Sequence, residues 1–387
     1  MFNIQLMNKI AKVGTDVFDK NLFAVGDSFE DPAAMMVRSA SLHEMPIPPS
    51  LLAIARAGAG VNNIPLDTCA EAGVVVFNTP GANANGVKEL AVAALMLASR
   101  DIVGGIEWVK ANASDENLAK SVEKNKAQFA GCEVFGKTLG VIGLGAIGGL
   151  VANVAHSLGM QVVGCDPSLT VGAAWSLSRA VHKAESYDDI YAVADYITLH
   201  VPSTPTTKGM INKETLSKMK DGVRIINLAR ADLVNAADMK EALESGKVAA
   251  YITDFPIPET VNLPHTVNIP HLGASTEESE DNCAIMAAQS LVEYLTTGNI
   301  HNSVNYPSVS IPHTGISRIC LCHRNVSGML SKITTILSAE GINIENMSNS
   351  AKGDFAYTII ESGVKVSDAA VSVLKAIPDM IRVRVID

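Results

Sequence analysis

His271 in NIPHLGAST, Arg230 in INLARADLV and Glu259 in DFPIPET form a set with complementary chemistry. An imidazole that titrates near neutrality can take or return a hydroxyl proton. A guanidinium fork can grip a carboxylate and polarise the carbonyl beside it. A carboxylate on the second imidazole nitrogen fixes the tautomer and stabilises the imidazolium; Glu259 is the candidate for that place, with Asp254 in reserve. The combination suits hydride exchange at a hydroxyl-bearing carbon next to a carboxylate.

Such an exchange needs a hydride acceptor, and residues 138–166, TLGVIGLGAIGGLVANVAHSLGMQVVGCD, have the pattern that binds one. An apolar run reaches Gly143-Leu144-Gly145-Ala146-Ile147-Gly148, a helix-patterned stretch follows, and a second apolar run ends on Asp166. The first glycine allows the tight turn from strand to helix, the second lets backbone approach a pyrophosphate, and the third lets helix pack on strand. The free N–H groups of the helix start suit the anion. Asp166 is placed to accept from adenosine ribose hydroxyls, which predicts NAD over NADP.

These groups must be carried by a scaffold. From about residue 136 apolar runs end at Gly143, Asp166, His200, Leu228, Thr253 and Ile269, with helical patterns between most of them. That alternation predicts a doubly wound parallel sheet. Ligands of such sheets lie beyond the carboxyl ends of the strands, which is where Asp166, His200, Arg230, Asp254 and His271 fall. Convergence from so many strands predicts one crevice holding the dinucleotide. His200, in LHVPST, reads as a structural or cofactor-pocket residue and not as a second base.

Residues 1–87 read as a smaller α/β unit with a polar start, MVRS, a helical piece before Ala53, and LLAIARAGAG and VVVFNTP as strand-and-loop pairs. KELAVAALMLASR (88–100) is a bridging helix, and EESEDNCAIMAAQSLVEYLTTG is one amphipathic helix returning to pack on the first unit. The stretch 301–315 has the Pro, Ser, Asn and His content of a linker. Beyond it the order is strand, helix with an apolar face at Met329, Leu330, Ile333, Ile336 and Leu337, two strands flanking a turn near Gly353, helix 367–376 and a last strand. This βαββαβ order is ferredoxin-like.

Net charge is −10, from 30 basic and 40 acidic residues, and no basic run stands out, which argues against nucleic acid or an anionic membrane as partner. An anionic small substrate then needs a few local cations. At 387 residues and 48 % apolar content the chain is globular and large enough for two or three cores. The start lacks the apolar core of a signal peptide, and the six scattered cysteines predict packed, reduced thiols in the cytoplasm, without disulfides or metal.

On GKTLGVIGLGAIG, LHVPSTPTTKG, NLAR (227–230) and PHLGAST (270–276) the chain resembles the NAD-dependent D-2-hydroxyacid dehydrogenase family. RAGAGVNNI (56–64) and FNTPGANANGVKEL (77–90) are similar to the same family's substrate-domain segments. HRNVSGMLSKI with EGINIENM is similar to an ACT regulatory domain. The resemblance implies three parts: a flavodoxin-like substrate domain (1–87 with 277–305), a Rossmann domain (88–276) and an ACT domain (316–387). Within the family it points to the D-3-phosphoglycerate dehydrogenases of the short type, lacking an intervening domain. It therefore implies oxidation of 3-phospho-D-glycerate to 3-phosphohydroxypyruvate, the first step of L-serine synthesis, by a homodimer or homotetramer.

Carried over position by position, it implies catalytic places for Arg230, Glu259 and His271. Cofactor contacts fall at Gly143, Gly145, Ala146, Ile147, Gly148, Asp166, His200, Val201, Pro202, Thr207, Leu228, Ala229, Asp254 and Gly273. Substrate contacts fall at Arg38, Ser39, Arg56 and Asn83, and an L-serine effector would meet His323, Asn325 and Asn343. Two rival readings differ from this one. A dehydrogenase for a non-phosphorylated acid such as glycerate would not need the cations Arg38 and Arg56. A nucleotide-sensing binding protein on the same fold would not need Arg230 and His271 together.

Overall fold

The first strand, β1 (Phe2–Leu6), forms where the alternation in FNIQL sends Ile4 into the core. In this computed structural model, which describes residues 1–387, β1 opens a parallel sheet with β2 (Phe23–Gly26), β3 (Ala34–Val37), β4 (Ala53–Arg56) and β5 (Val75–Phe77). The strand order is β2-β1-β3-β4-β5, so the order reverses between β1 and β3. This is the flavodoxin-like arrangement, and the reversal leaves a crevice beyond the ends of those two strands. The helix expected before Ala53 is absent apart from one short turn, Lys12–Thr15; residues 38–52 are irregular. Pro46, Pro48 and Pro49 account for that, since each lacks an N–H and disfavours helix in the residue before it.

The chain divides into two units, Met1–Asn83 with Glu280–Asp387, and Ala84–Ser279. The second holds a seven-stranded parallel sheet of β6 (Thr138–Ile142), β7 (Gln161–Cys165), β8 (Val181–Lys183), β9 (Tyr196–Leu199), β10 (Val223–Asn227), β11 (Val248–Thr253) and β12 (Thr266–Asn268). Its order is β12-β11-β10-β9-β6-β7-β8. The reversal here lies between β6 and β9, whose ends carry Gly143 and His200. Helix Ala84–Ser99, begun four residues earlier than the sequence pattern suggests, and helix Ala146–Ser157 bury small apolar residues on one face of this sheet. Helices Ile102–Ala111 and Leu118–Asn125 fill a stretch that carried no expectation.

In the first unit, helix Glu277–Thr297 buries Cys283, Ala284, Ala287, Ala288, Leu291, Tyr294 and Leu295, the 3.6-residue stripe expected of it. Its small residues let backbones approach: a side chain on Gly14 would meet Ala284. The C-terminal βαββαβ part forms an antiparallel sheet of β13 (Ser317–Arg324), β14 (Ile344–Lys352), β15 (Phe355–Ser362) and β16 (Met380–Ile386), ordered β14-β15-β13-β16. One face, with Ile319, Leu321 and Ile360, packs on helices Met329–Ala339 and Asp368–Lys375. The other face sends Cys320, Cys322, Tyr357 and Ile359 into the same core as Phe77, Tyr294 and Tyr306.

The linker composition of 301–315 therefore conceals a packed segment. The Tyr306 side chain is fully buried and its hydroxyl donates to the Ala70 carbonyl, while Asn305 bonds Val74 and Val76. Arg318 and Glu361 form a fully buried ion pair at the root of this segment. Arg318 also donates to the carbonyls of Thr297 and Ile311, and Glu361 accepts from the Thr314 and Gly315 N–H groups. All six cysteines are free thiols, five of them buried.

Candidate functional site

The glycine loop ends β6 as the sequence pattern requires. Gly143 has φ +88°, and a side chain there would lie 2.5 Å from the His200 carbonyl oxygen. A Cβ on Gly148 would collide with the Gly143 carbonyl oxygen. At Gly145 there is open space instead, and Gly145 and Ala146 are exposed while Ile147 is half-buried. Gly145 caps helix Ala146–Ser157 without any side-chain bond to the helix start, so the first N–H groups are available to an anion.

Asp166 follows β7 and fastens this loop: Oδ2 accepts the Leu144 N–H at 2.9 Å and Oδ1 the Ser168 N–H at 2.8 Å. Beside it lies a cavity of about 370 Å³, lined by Leu144, Asp166, Leu169, Leu177, Val181 and Ala184 among others. Its lining from Leu169 to Ala184 carried no expectation, because the irregular stretch after Asp166 has no period to read. An open glycine, an uncapped helix start, an acid beside them and an apolar slot fit the pyrophosphate, ribose and adenine of a dinucleotide.

The strand β9 delivers His200, whose Nε2 bonds the Thr198 hydroxyl at 2.9 Å and whose burial pulls its pKa down to about 4. Val201 is half-buried and Pro202 exposed; Thr207 closes this loop by donating to the Pro202 carbonyl at 2.6 Å. The strand β10 ends on Asn227, and Leu228 is buried with Ala229 half-buried behind it. Asn227 builds the turn that presents Arg230: its Nδ2 donates to the Arg230 carbonyl at 2.8 Å and its Oδ1 accepts the Arg230 N–H at 3.3 Å. The Arg230 guanidinium lies over the Phe255 ring, 5.6 Å from its centroid.

His271 packs on the same ring from elsewhere in the chain: its ring is tilted against Phe255, with centroids 4.5 Å apart. Phe255 thus touches both Arg230 and His271, a role its place directly after Asp254 hints at only in retrospect. His271 is exposed and its backbone is left-handed, with φ +47°. Asp254 is 1 % exposed; Oδ2 accepts the Gly273 N–H at 3.0 Å, while Oδ1 is buried without a partner. Burial pushes its pKa up, against the opposing pull of the Gly273 N–H and of His271 and Arg230 nearby. An unpartnered acceptor at this depth is a place for a donor supplied by a ligand, such as a carboxamide.

The structure does not bring Glu259 to His271. Glu259 sits exposed in the helical turn Pro258–Val261 and makes no hydrogen bond to the imidazole. Asp254 is the acid beside His271, through the charge effect noted and a backbone bond from the His271 N–H to its carbonyl.

In the other unit, Arg38 leaves the end of β3 and Arg56 ends β4, at the carboxyl edge of the sheet. The Asn8 side chain, beyond β1, accepts the Arg38 N–H at 2.9 Å, so Arg38 stands at the reversal point of that sheet. Burial pushes the Cys283 thiol up, against the opposing pull of the Thr79 hydroxyl and of the nearby Arg56 and Arg38. Ser39 is exposed and Asn83 half-buried. Of the effector candidates, His323 is buried, with Nδ1 on the Arg324 carbonyl and Nε2 on the Thr358 hydroxyl. Asn325 bonds the Gly353 carbonyl and Asn343 is exposed. His323 pairs with Ala356 and thereby lines up with Ala351, whereas Asn343 precedes the far end of β14.

Residues 92–273 match the model of the D-isomer specific 2-hydroxyacid dehydrogenase NAD binding domain, and 319–379 match the ACT domain. The chain is 33 % identical over 331 residues to the D-3-phosphoglycerate dehydrogenase of Bacillus subtilis, covering 80 % of this chain and 60 % of that protein. It thus spans less than two thirds of that relative's length. The D-3-phosphoglycerate dehydrogenase of Escherichia coli is 33 % identical over 342 residues, covering 84 % of this chain and 79 % of that one. Among solved structures, NAD+-bound 3-phosphoglycerate dehydrogenase of Entamoeba histolytica matches 79 % of this chain and 98 % of its own at 25 % identity, TM-score 0.62.

Proposed function

Because this chain belongs to the D-isomer specific 2-hydroxyacid dehydrogenase family and carries an ACT domain, we propose that it oxidises 3-phospho-D-glycerate to 3-phosphohydroxypyruvate with NAD. The observation that carries this reading is the grouping of Arg230, Phe255, Asp254 and His271 at the ends of β10 and β11. NAD, bound by the glycine loop, Asp166 and Asp254, supplies the hydride acceptor.

His271 takes the hydroxyl proton as the alcohol becomes a carbonyl, and Phe255 keeps the imidazole in place. Arg230 offers guanidinium donors to the substrate carboxylate and to the oxygen on which negative charge develops. Asp254, bonded to the His271 turn, is the acid placed to support it, the part the sequence also offers to Glu259. Arg38 and Arg56 supply the local cations an acidic chain needs for a phosphorylated acid.

We further infer an assembly of two or more copies. Ile102, Ile106 and Val109 lie on one stripe of helix Ile102–Ala111 and are 39 to 49 % exposed, an apolar face suited to a second copy. L-serine is the proposed effector. His323 and Asn343 lie at opposite ends of the ACT sheet, roughly 26 Å apart by strand rise, so one serine could meet both only across two chains. No helix is long and apolar enough to cross a membrane.

The test is NADH formation with 3-phospho-D-glycerate, D-glycerate and D-lactate, with NADP in place of NAD, and with added L-serine. The proposal expects the phosphorylated acid and NAD to be preferred. Equal efficiency with D-glycerate would transfer the reading to a non-phosphorylated acid. No turnover with any hydroxy acid would favour a nucleotide-sensing role.

A further inference from the structure

Arg38 is gripped at both ends. Its backbone N–H donates to the Asn8 side chain at 2.9 Å, and its Nη2 donates to Glu280 Oε1 at 2.6 Å. An ion pair with both side chains 40 to 45 % exposed is ordinarily of little consequence. This one differs in where it sits. Three separate segments, the turn after β1, the turn after β3 and the first turn of helix Glu277–Thr297, meet at the reversal point of the parallel sheet. A ligand of that sheet is expected there.

One turn along the same helix, Cys283 lies in the field of Arg38, Arg56 and Glu280, which places the two cations and the acid in one small region. The acid uses a single arm of the guanidinium. No other bond of the structure engages Arg38 Nε or Nη1, so those donors remain for an anion. The far end of the helix is fixed as well. Arg384 donates to the carbonyls of Tyr294 and Leu295, Arg318 to that of Thr297, and Tyr357 to that of Gly298. Glu280 therefore projects from a rod held in place, while Arg38 left alone would sample many rotamers.

We propose that Glu280 is a specificity-determining positioning residue: it holds the Arg38 guanidinium in the orientation that receives the phosphate of a phosphorylated 2-hydroxy acid. This rests on the proposed reading of Arg38 as a phosphate-binding cation. Ordering a long, flexible side chain before the ligand arrives removes part of the entropic cost of binding. The benefit falls on substrates that reach Arg38 and not on those lacking the distal anion. Catalytic steps at the hydroxyl-bearing carbon do not involve it.

Glu280→Ala, Glu280→Gln and Arg38→Ala are to be compared with the parent on 3-phospho-D-glycerate and on D-glycerate, with kcat and KM resolved separately. Glu280→Ala is expected to raise KM for the phosphorylated acid about three- to tenfold, with kcat within twofold. Its kcat/KM for D-glycerate should be unchanged. Glu280→Gln keeps an acceptor for the guanidinium and should recover most of the loss. An unchanged or lowered KM in Glu280→Ala overturns the proposal, as does an equal change on both substrates, which marks a merely structural effect. Arg38→Ala separates the two layers. If it leaves KM for the phosphorylated acid unaltered, the phosphate reading itself fails; if it raises that KM while Glu280→Ala does not, only the role of Glu280 fails.

Discussion

The backbone N–H of His271 donates to the carbonyl of Asp254 at 2.9 Å, tying the imidazole-bearing turn to the end of β11. The Gly273 N–H reaches the carboxylate of the same aspartate, so one main-chain bond and one bond to a side chain fasten the turn around its left-handed residue. The position of the imidazole is thereby set by this turn and by the Phe255 ring, with no hydrogen bond to the imidazole itself.

Replacing the imidazole should leave this turn intact when the new residue tolerates positive φ. His271→Asn meets that condition, since asparagine enters the left-handed region more readily than most residues. The variant is expected to fold and bind NAD like the parent and to lose on the order of 10²–10⁴ in turnover. Fluorescence titration with NADH and a steady-state assay check the two halves. Turnover within tenfold of the parent would mean that another group moves the proton.

The last glycine of the loop should respond differently from the middle one. Gly145→Ala points into open space and should leave thermal stability almost unchanged, while lowering NAD affinity at least several-fold by obstructing the pyrophosphate. Gly148→Ala forces a carbon onto the Gly143 carbonyl, and is expected to cost roughly 1–3 kcal/mol of stability. Melting curves and calorimetric titrations distinguish them. Equal destabilisation by both changes would refute the assignment of separate roles.

Acid sensitivity should follow from His200. Its pKa falls from 6.5 to about 4 on burial, so the unfolded chain binds a proton that the folded chain refuses between those values. Stability from this group is complete above pH 6.5 and is lost as pH falls towards 4, amounting to about 2 kcal/mol at pH 5. Denaturation midpoints of the parent and His200→Gln, measured from pH 8 to 4.5, should converge or cross as the pH falls. Parallel curves would show that His200 is not the group responsible.

The buried pair Arg318–Glu361 should show the asymmetry of interior charges. Arg318→Met leaves the buried carboxylate with only His313 and two N–H groups as partners and is expected to cost about 3–5 kcal/mol. Adding Glu361→Gln removes the stranded charge while retaining an acceptor for the Thr314 and Gly315 N–H groups, so the double variant should regain part of the loss. Chemical denaturation of the single and double variants measures this; a double variant less stable than Arg318→Met contradicts it.

What could be read from the sequence was whatever a local geometric rule enforces. The glycine triplet, its distance to Asp166 and the alternation of apolar runs with helical patterns each follow from the passage of one strand into one helix. The partnership of Arg230 and His271 with Phe255 has no such rule behind it, since 25 and 16 residues of chain separate the contacts and only tertiary packing closes them. The same holds for Glu259. Its carboxylate has suitable chemistry, but its direction depends on how the turn after β11 folds, and there Asp254 is the acid bonded to the His271 turn. Helix Ile102–Ala111 escaped notice because its apolar residues face outward, which inverts the usual sense of the pattern.

The shared core behind the ACT sheet has a consequence for how this chain could be taken apart. Cutting at residue 316 would bare Tyr294, Tyr306 and Phe77 on one fragment and Cys320, Tyr357 and Ile359 on the other. Neither piece would keep a water-compatible skin, so sequence-defined modules here are not the units that survive proteolysis or recombinant trimming. An ACT part welded in this manner shares an interior with the first sheet, and melts together with it whenever that common interior does.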